Sequence, residues 1–304
     1  MIKRTLYFGN PAYLSLRNEQ LVIGIPGADG MDAKVGNTIP IEDIGVLVLD
    51  HKQITITHGL LEQLLENNCA VITCDSSHLP VGYLLPLAGN KTQTERFKFQ
   101  LEASEPLKKN LWQQTIEAKI KNQAALLKQN GNDISNLLYW AKSVKSGDTS
   151  NHEARAAAVY WSVIFQDYIP DFRRGRDGEE PNNLLNYGYA ILRAITARAL
   201  VASGMLPTLG IFHRNRYNAY CLADDIMEPY RPYVDAIVLD WVKKNNGNYE
   251  LTKDAKIALF NIATCDVVIE NERSPLMVGI SRTTTSVVRC FEGVQRKLAY
   301  PEFL

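Results

Sequence analysis

The chain has 304 residues, 46% of them hydrophobic and 22% charged, an ordinary globular composition long enough for one large or two medium domains. Its formal net charge is zero, so no global basic signal points to nucleic acid, although the distribution of charge matters more than its sum. The start, MIKRTLYFGNPAYLSL, lacks the apolar run of a signal peptide, and no stretch reaches the roughly 18 uninterrupted apolar residues of a membrane span, so a soluble, cytoplasmic protein is expected.

Residues 1–88 read as short strands rich in β-branched and aromatic residues, at 5–8, 12–16, 20–25, 44–49 and 53–57. Asn10-Pro11, Arg17-Asn18-Glu19 and Pro26-Gly27 punctuate them as turns. A helix is predicted near 59–67, then a buried strand at 70–74 and a last one at 81–87. Strands this closely spaced suggest a small β-sandwich. Gly89-Asn90-Lys91 is a candidate linker, and from residue 92 the pattern becomes helical. Apolar residues recur at three and four spacing over 95–103, 107–130, 134–144, 151–165, 182–203, 219–245 (with breaks expected at Pro229 and Pro232) and 252–262. The expected fold is α+β: an N-terminal β-sandwich domain (1–88), a linker (89–91) and a larger all-α domain (92–304). No solenoid-length repeat or low-complexity tract occurs.

Charge is divided unevenly along the chain. Residues 1–90 hold 5 basic and 9 acidic side chains, net −4, and residues 91–304 hold 28 and 24, net +4. The helical part is therefore the better partner for a polyanion. The cysteines, Cys69, Cys74, Cys221, Cys265 and Cys290, are odd in number with no CxxC pair, which reads as reduced, mostly buried thiols.

Several chemistries lack their motif. There is no GxxxxGK[ST] loop, no GxGxxG after a strand, no HExxH or Cys/His zinc spacing, and no GxSxG elbow. Three polar positions remain. Glu153, in Asn151-His152-Glu153, falls in the first turn of a helix that Thr149, Ser150 or Asn151 can cap. A lone acid there ordinarily complements the helix dipole, but the alanines that follow permit close approach. His213 ends an apolar stretch beside Arg214 and Arg216; a satisfied structural histidine is the simpler alternative. His152 competes with it as a ligand, but on a helix it should face about 100° away from Glu153. Finally, Asp225 and Glu228 at i, i+3 and Asp224 and Glu228 at i, i+4 crowd like charges on one helix face just before Pro229 and Pro232. That costs stability unless a cation compensates; a solvated acidic helix end is the alternative.

Oxygen ligands with one imidazole suit Mg²⁺ or Mn²⁺ better than zinc. Arg155, Arg193, Arg214, Arg216 and Arg231 could clamp a phosphate backbone. The residues alone lead to metal-dependent phosphoryl transfer and do not place three distant positions in one site.

Five segments resemble the CRISPR-associated adaptation endonuclease/spacer integrase family, specifically its type II branch. They are LYFGNPAYLS (6–15), NHEARAA (151–157), NNLLNYGYAILR (182–193), GIFHRNRYNA (210–219) and LADDIMEPYRP (222–232), in the expected order across nearly the whole chain. The resemblance implies that Glu153, His213 and Glu228 bind one Mg²⁺ or Mn²⁺ as the catalytic set, with Asp225 as an additional acid near the metal. It implies a dimerising N-terminal β-domain and a helical catalytic domain. The implied reaction is DNA integration, in which a 3′-hydroxyl of a short DNA fragment attacks a phosphodiester of the repeat array. The implied partners are double-stranded DNA (protospacer and repeat), a second copy of the chain, the small second adaptation protein, and the type II effector nuclease with its helper. A structure-specific nuclease acting on branched DNA without integration is the competing expectation, and a catalytically idle scaffold is a third.

Overall fold

The structure, a computed structural model, describes residues 3–25, 34–76, 78–175, 177–245, 247 and 249–303. It divides into two compact units, Met1–Lys91 and Thr92–Leu304.

The first unit runs β1 (Arg4–Phe8), β2 (Ala12–Arg17), β3 (Gln20–Ile25), β4 (Lys34–Pro40), β5 (Ile44–Leu49), β6 (Ile54–Ile56), α1 (His58–Glu66), β7 (Ala70–Cys74) and β8 (Pro80–Leu84). Asn18 and Glu19 both have positive φ, the two-residue turn that matches strand twist and pairs Arg17 with Gln20. The turn expected at Pro26-Gly27 lies outside the described residues. The strands form two four-stranded sheets, ordered β1-β5-β7-β8 and β4-β3-β2-β6. In the first, β1, β5 and β7 are parallel. The physical reason is visible in β5: its IGVLVL run is buried almost throughout, as a central strand covered on both faces requires. Leu14, Leu21, Leu47, Leu60, Leu64 and Val71 share one core, so α1 is part of it. The expected strands therefore form, in a mixed unit with a parallel sheet and a packed helix.

The second unit runs α2 (Gln93–Glu102), α3 (Glu105–Gln129), α4 (Ser135–Ser143), α5 (His152–Val163), α6 (Asn182–Ala202), α7 (Cys221–Met227), α8 (Arg231–Asn245), α9 (Lys253–Phe260), β9 (Asp266–Ile269), β10 (Glu272–Pro275) and α10 (Leu276–Phe291). The expectation of an all-α domain is corrected by the β9–β10 hairpin. A β-branched run, Val267-Val268-Ile269, meets a two-residue turn whose residues, Glu270 and Asn271, both take positive φ. Helix α10 has a Thr283-Thr284-Thr285 tract that disfavours helix locally. Burial of Leu276, Ile280 and Val287 on one face overrides that preference. Pro229 separates α7 from α8 within a short 3-10 turn, Glu228–Tyr230. Pro232 breaks nothing, because it sits in the first turn of α8, where no intrahelical N–H is needed.

Two helices position the site. The N-terminus of α3 is capped by Ser104, whose Oγ accepts from Leu107 N at 3.4 Å, and it has Pro106 in its first turn. Helix α6 is buried along most of its length and packs on α7, α8, α9 and α10. At Gly188 an added Cβ would lie 2.5 Å from Val234 Cγ1, so only glycine allows α6 to approach α8 this closely. Among the described residues no helix is long and apolar enough to cross a membrane.

Asp235 of α8 ties three helices together. Its carboxylate accepts from Tyr160 Oη of α5 at 2.7 Å and from Tyr189 Oη of α6 at 2.5 Å. Burial pushes its pKa up to about 6, against the pull of both hydroxyls. The folded state thus holds this proton more tightly than the unfolded chain, where Asp titrates near about 3.9. The stability that this contributes is complete below that value and is lost as pH rises through about 6. Asp235→Asn should therefore flatten the dependence of Tm on pH over that window. A wild-type Tm that rises across the same window with the same slope in Asp235→Asn would contradict this account.

Candidate active site

Helix α3 offers one buried face carrying Trp112, Thr115, Lys119 and Asn122 at three, four and seven spacing. Glu153 comes to this face from the first turn of α5. The cap of α5 is Asp148, whose Oδ1 and Oδ2 accept from His152 N and Glu153 N, each at 2.9 Å. That replaces the expected cap from Thr149, Ser150 or Asn151; Asn151 itself takes a left-handed conformation. His152 is buried, with no hydrogen-bond partner at Nδ1.

Glu153 and Glu228 converge on a single cation. Lys119 Nζ lies 2.6 Å from Glu153 Oε1 and 2.6 Å from Glu228 Oε2. Arg231 Nε donates to the other Glu228 oxygen at 2.8 Å, and its guanidinium stacks 4.5 Å from the Tyr189 ring centroid. Burial alone would raise the Glu228 pKa, but Arg231 and Lys119 outweigh it and hold the carboxyl down at about 2. Burial would lower the Lys119 pKa, but Glu228 and Glu153 outweigh it and hold the ammonium above its ordinary value. Glu228, Lys119 and Arg231 are therefore all charged here.

His213 is placed by Asp225. This carboxylate has no exposed surface, and it accepts from Ile211 N at 2.7 Å, Phe212 N at 3.0 Å, His213 N at 3.2 Å and His213 Nδ1 at 2.5 Å. Four donors fill its lone pairs, so Asp225 organises the 211–213 loop. Gly210 makes room for this: an added Cβ would lie 2.5 Å from His213 O and 2.7 Å from Asp225 Oδ2. From α3, Trp112 stacks on Phe212 at 4.1 Å and meets the His213 ring edge-on at 5.6 Å. The bond to Asp225 raises the His213 pKa, burial opposes it, and the charges of Asp225 and Glu228 add to the rise. Burial lifts Asp225 above the ordinary carboxylate range while its donors pull down.

The predicted arginines fall into two groups. Arg193 Nε pairs with Asp224 Oδ1 at 2.6 Å, and Arg231 with Glu228, so both are committed to acids at the site. Arg155, Arg214 and Arg216 are exposed. Arg214 pairs with Glu105 at 2.6 Å, and Arg216 lies over the Tyr217 ring at 4.6 Å. A cleft of about 430 Å³, lined by Lys108, His213, Arg214 and Arg216 among others, opens beside the imidazole.

A divalent cation can be tested against these groups. Among the described residues no three His, Cys, Asp or Glu side chains are gathered to hold a metal. The two carboxylates are gathered, however, around an ammonium. Glu228 Oε2 is buried and lacks a hydrogen bond of acceptable geometry, although Lys119 Nζ is within 2.6 Å. With Nδ1 donating to Asp225, the lone pair of His213 sits on Nε2. A poorly satisfied buried carboxylate oxygen, a second carboxylate and an oriented imidazole fit a hard divalent cation. Lys119, Trp112 and Asp148 went unread in the sequence. Their only signal is the seven-residue spacing of Trp112 and Lys119, which any amphipathic helix shares.

Comparison with known proteins bears on this arrangement. The family model for CRISPR associated protein Cas1 matches residues 6–264. The CRISPR-associated endonuclease Cas1 of Neisseria meningitidis serogroup C (strain 8013) is 38% identical over 288 residues, spanning 94% of this chain and 91% of that protein. A casposase bound to integration product superposes with a TM-score of 0.78 at 21% identity, covering 98% of this chain and 93% of that one. A chain of a Cas6-RT-Cas1–Cas2 complex gives 0.75 at 20% identity, covering 100% of this chain and 36% of that one. At those identities the structural likeness shows the fold.

Proposed function

Because the chain belongs to the CRISPR associated protein Cas1 family, we propose that it is a divalent-metal-dependent DNA endonuclease and integrase that inserts short DNA spacers into a CRISPR repeat array. The observation that carries this reading is the convergence of Glu153 and Glu228 on one buried cation, with His213 fixed by Asp225 and within electrostatic reach of Glu228. Glu153, His213 and Glu228 would hold Mg²⁺ or Mn²⁺, which when bound lowers the pKa of an attacking hydroxyl and offsets phosphate charge. Asp225 fixes the imidazole so that Nε2 is the nitrogen presented. Arg231 keeps Glu228 ionised and fixed, and Arg193 fixes Asp224 in place. Arg155, Arg214 and Arg216, all exposed, are the side chains that would meet phosphates in this reading. The bond formed joins a 3′-oxygen to the repeat phosphorus, and the bond broken releases the repeat's own 3′-oxygen. A relative named as an endonuclease and a structural neighbour bound to an integration product support this reading.

The test is strand transfer. A short duplex with free 3′-hydroxyls and a repeat-containing plasmid should give joined product in Mg²⁺ or Mn²⁺, and none in chelator. The small second adaptation protein, Cas2, should increase the yield; a structural neighbour is a Cas1–Cas2 complex. In a type II system the effector nuclease and its helper would act earlier, in spacer selection. Cleavage of branched DNA without joined product would move the reading to a structure-specific nuclease.

The β-rich unit is proposed to form a homodimer. Tyr13, Ile25, Val81 and Leu84 are exposed on its strands, Ile25 at 60% and Val81 at 64%. A unit this small leaves apolar surface that a second copy can cover. Light scattering at micromolar concentration should return the dimer mass; a monomer there would overturn the proposal.

A further inference from the structure

Lys119 is a buried lysine that the reaction just described leaves unused. Its side chain is 11% exposed, and a lysine this buried must be paired. Its partners arrive from two separate elements, α5 and the turn after α7, and both reach its ammonium. We infer that Lys119 is the resident counter-cation of the site, which holds Glu153 and Glu228 together until a divalent cation takes its place. This rests on the metal-dependent reading above and adds a positioning residue to it.

Three observations carry the inference. Without a cation between them, Glu153 and Glu228 would repel across a poorly solvated space, so an empty acidic pair would spread. Lys119 supplies the charge that keeps their spacing. Secondly, the two cations on Glu228 differ in how firmly they are held. Arg231 is bonded through Nε and stacked on Tyr189, whereas Lys119 contacts Oε2 without a well-aligned hydrogen bond. Oε2 is thus the oxygen most easily transferred to another cation, and Oε1 stays with Arg231. Thirdly, a lysine is a point charge on four methylenes that can rotate away without moving the main chain of α3. His213 is fixed by Asp225 and does not depend on Lys119. Exchange of one cation for another therefore needs only a side-chain rotation, and the helices stay where they are.

The experiment compares the full-length chain with Lys119→Met, a swap of similar volume without charge. Mn²⁺ binding is measured by calorimetry and melting is followed with and without Mn²⁺. Removing the competing ammonium should tighten Mn²⁺ binding about tenfold, the factor that about 1.4 kcal/mol represents. The metal-free variant should melt below wild type, because a buried and a partly buried carboxylate lose a partner, and Mn²⁺ should recover most of that deficit. Equal or weaker Mn²⁺ affinity in a folded variant would overturn the inference. Should the variant not fold, the wild type decides: a crystal structure with Mn²⁺ on Glu153 and Glu228 should find Lys119 Nζ gone from both. Nζ still in contact with both carboxylates beside the bound Mn²⁺ would overturn it equally. A wild type that binds neither Mn²⁺ nor Mg²⁺ removes the metal reading itself, which is a different failure.

Discussion

His213→Ala is expected to abolish DNA cleavage and strand transfer while leaving duplex affinity nearly intact. Affinity for a duplex comes mostly from many phosphate contacts, each salt-dependent, and one imidazole is none of them. What the substitution removes is the Nε2 nitrogen left free by the bond from Nδ1 to Asp225, the nitrogen proposed to bind the metal. The loss in turnover should exceed the roughly 10–100-fold typical of outer-shell changes at metal sites. The side chain is 42% exposed, so the variant should fold with a Tm close to wild type. Arg214 and Arg216 provide the contrast. Replacing both with Ala should weaken binding and flatten its salt dependence, with a smaller effect on turnover at saturating DNA. Filter binding across a salt series, strand-transfer rates and melting curves read all three. A His213→Ala protein that integrates at the wild-type rate in Mg²⁺ or Mn²⁺ would make the mechanism wrong, and one that unfolds would return His213 to a core role.

Asp225→Asn should cost both stability and activity, although it keeps the shape of the side chain. The carboxylate accepts two donors on each oxygen. A carboxamide accepts on one side only, and turns an NH₂ toward donors on the other. If that NH₂ faces His213, the imidazole must shift its proton to Nε2 to offer Nδ1 as acceptor, and the nitrogen meant for the metal loses its lone pair. If it faces Ile211 and Phe212, two backbone N–H groups lose their acceptor. The expected loss is about 3 kcal/mol, the upper end for leaving buried donors unsatisfied. Melting, Mn²⁺ calorimetry and strand-transfer rates should all fall together. An Asn variant with wild-type melting and wild-type rate would show that the 211–213 loop needs no carboxylate.

The helices were legible in the sequence because their apolar periodicity coincides with their punctuation. Ser104 and Pro106 begin α3, and Pro229 divides α7 from α8. Pro232 was misread as a second break because its position within the first turn depends on where the new helix starts. Helix α10 was missed because its threonines hide an amphipathic face. The parallel pairing of β1, β5 and β7 was hidden because strand pairing is non-local. At the site, Glu153 stood out as a first-turn acid before a run of alanines, His213 as an imidazole ending an apolar stretch, and Asp225 and Glu228 as like charges on one helix face, while their grouping as one ligand set came from the family resemblance. Lys119 did not, since a lysine within a long helix ordinarily points to solvent; only the folded chain turns it inward. Asp148 was passed over for nearer hydroxyl and amide caps because the left-handed turn at Asn151 brings an earlier residue to the helix end.

Helix α3 has buried positions from Leu111 to Leu127, more than four turns in succession. Amides on such a segment have no route to solvent by local fraying, so their hydrogen exchange should proceed only through unfolding of the surrounding unit. Lys119 and Trp112 belong to that slow class. The loop from Gly210 to His213 is held instead by one carboxylate and one aromatic stack, and its amides should exchange by local opening. Slow exchange along the lysine-bearing helix and fast exchange in the imidazole loop would mean that one wall of the site is as persistent as the fold, while the other assembles and disperses many times within the lifetime of a single folded molecule.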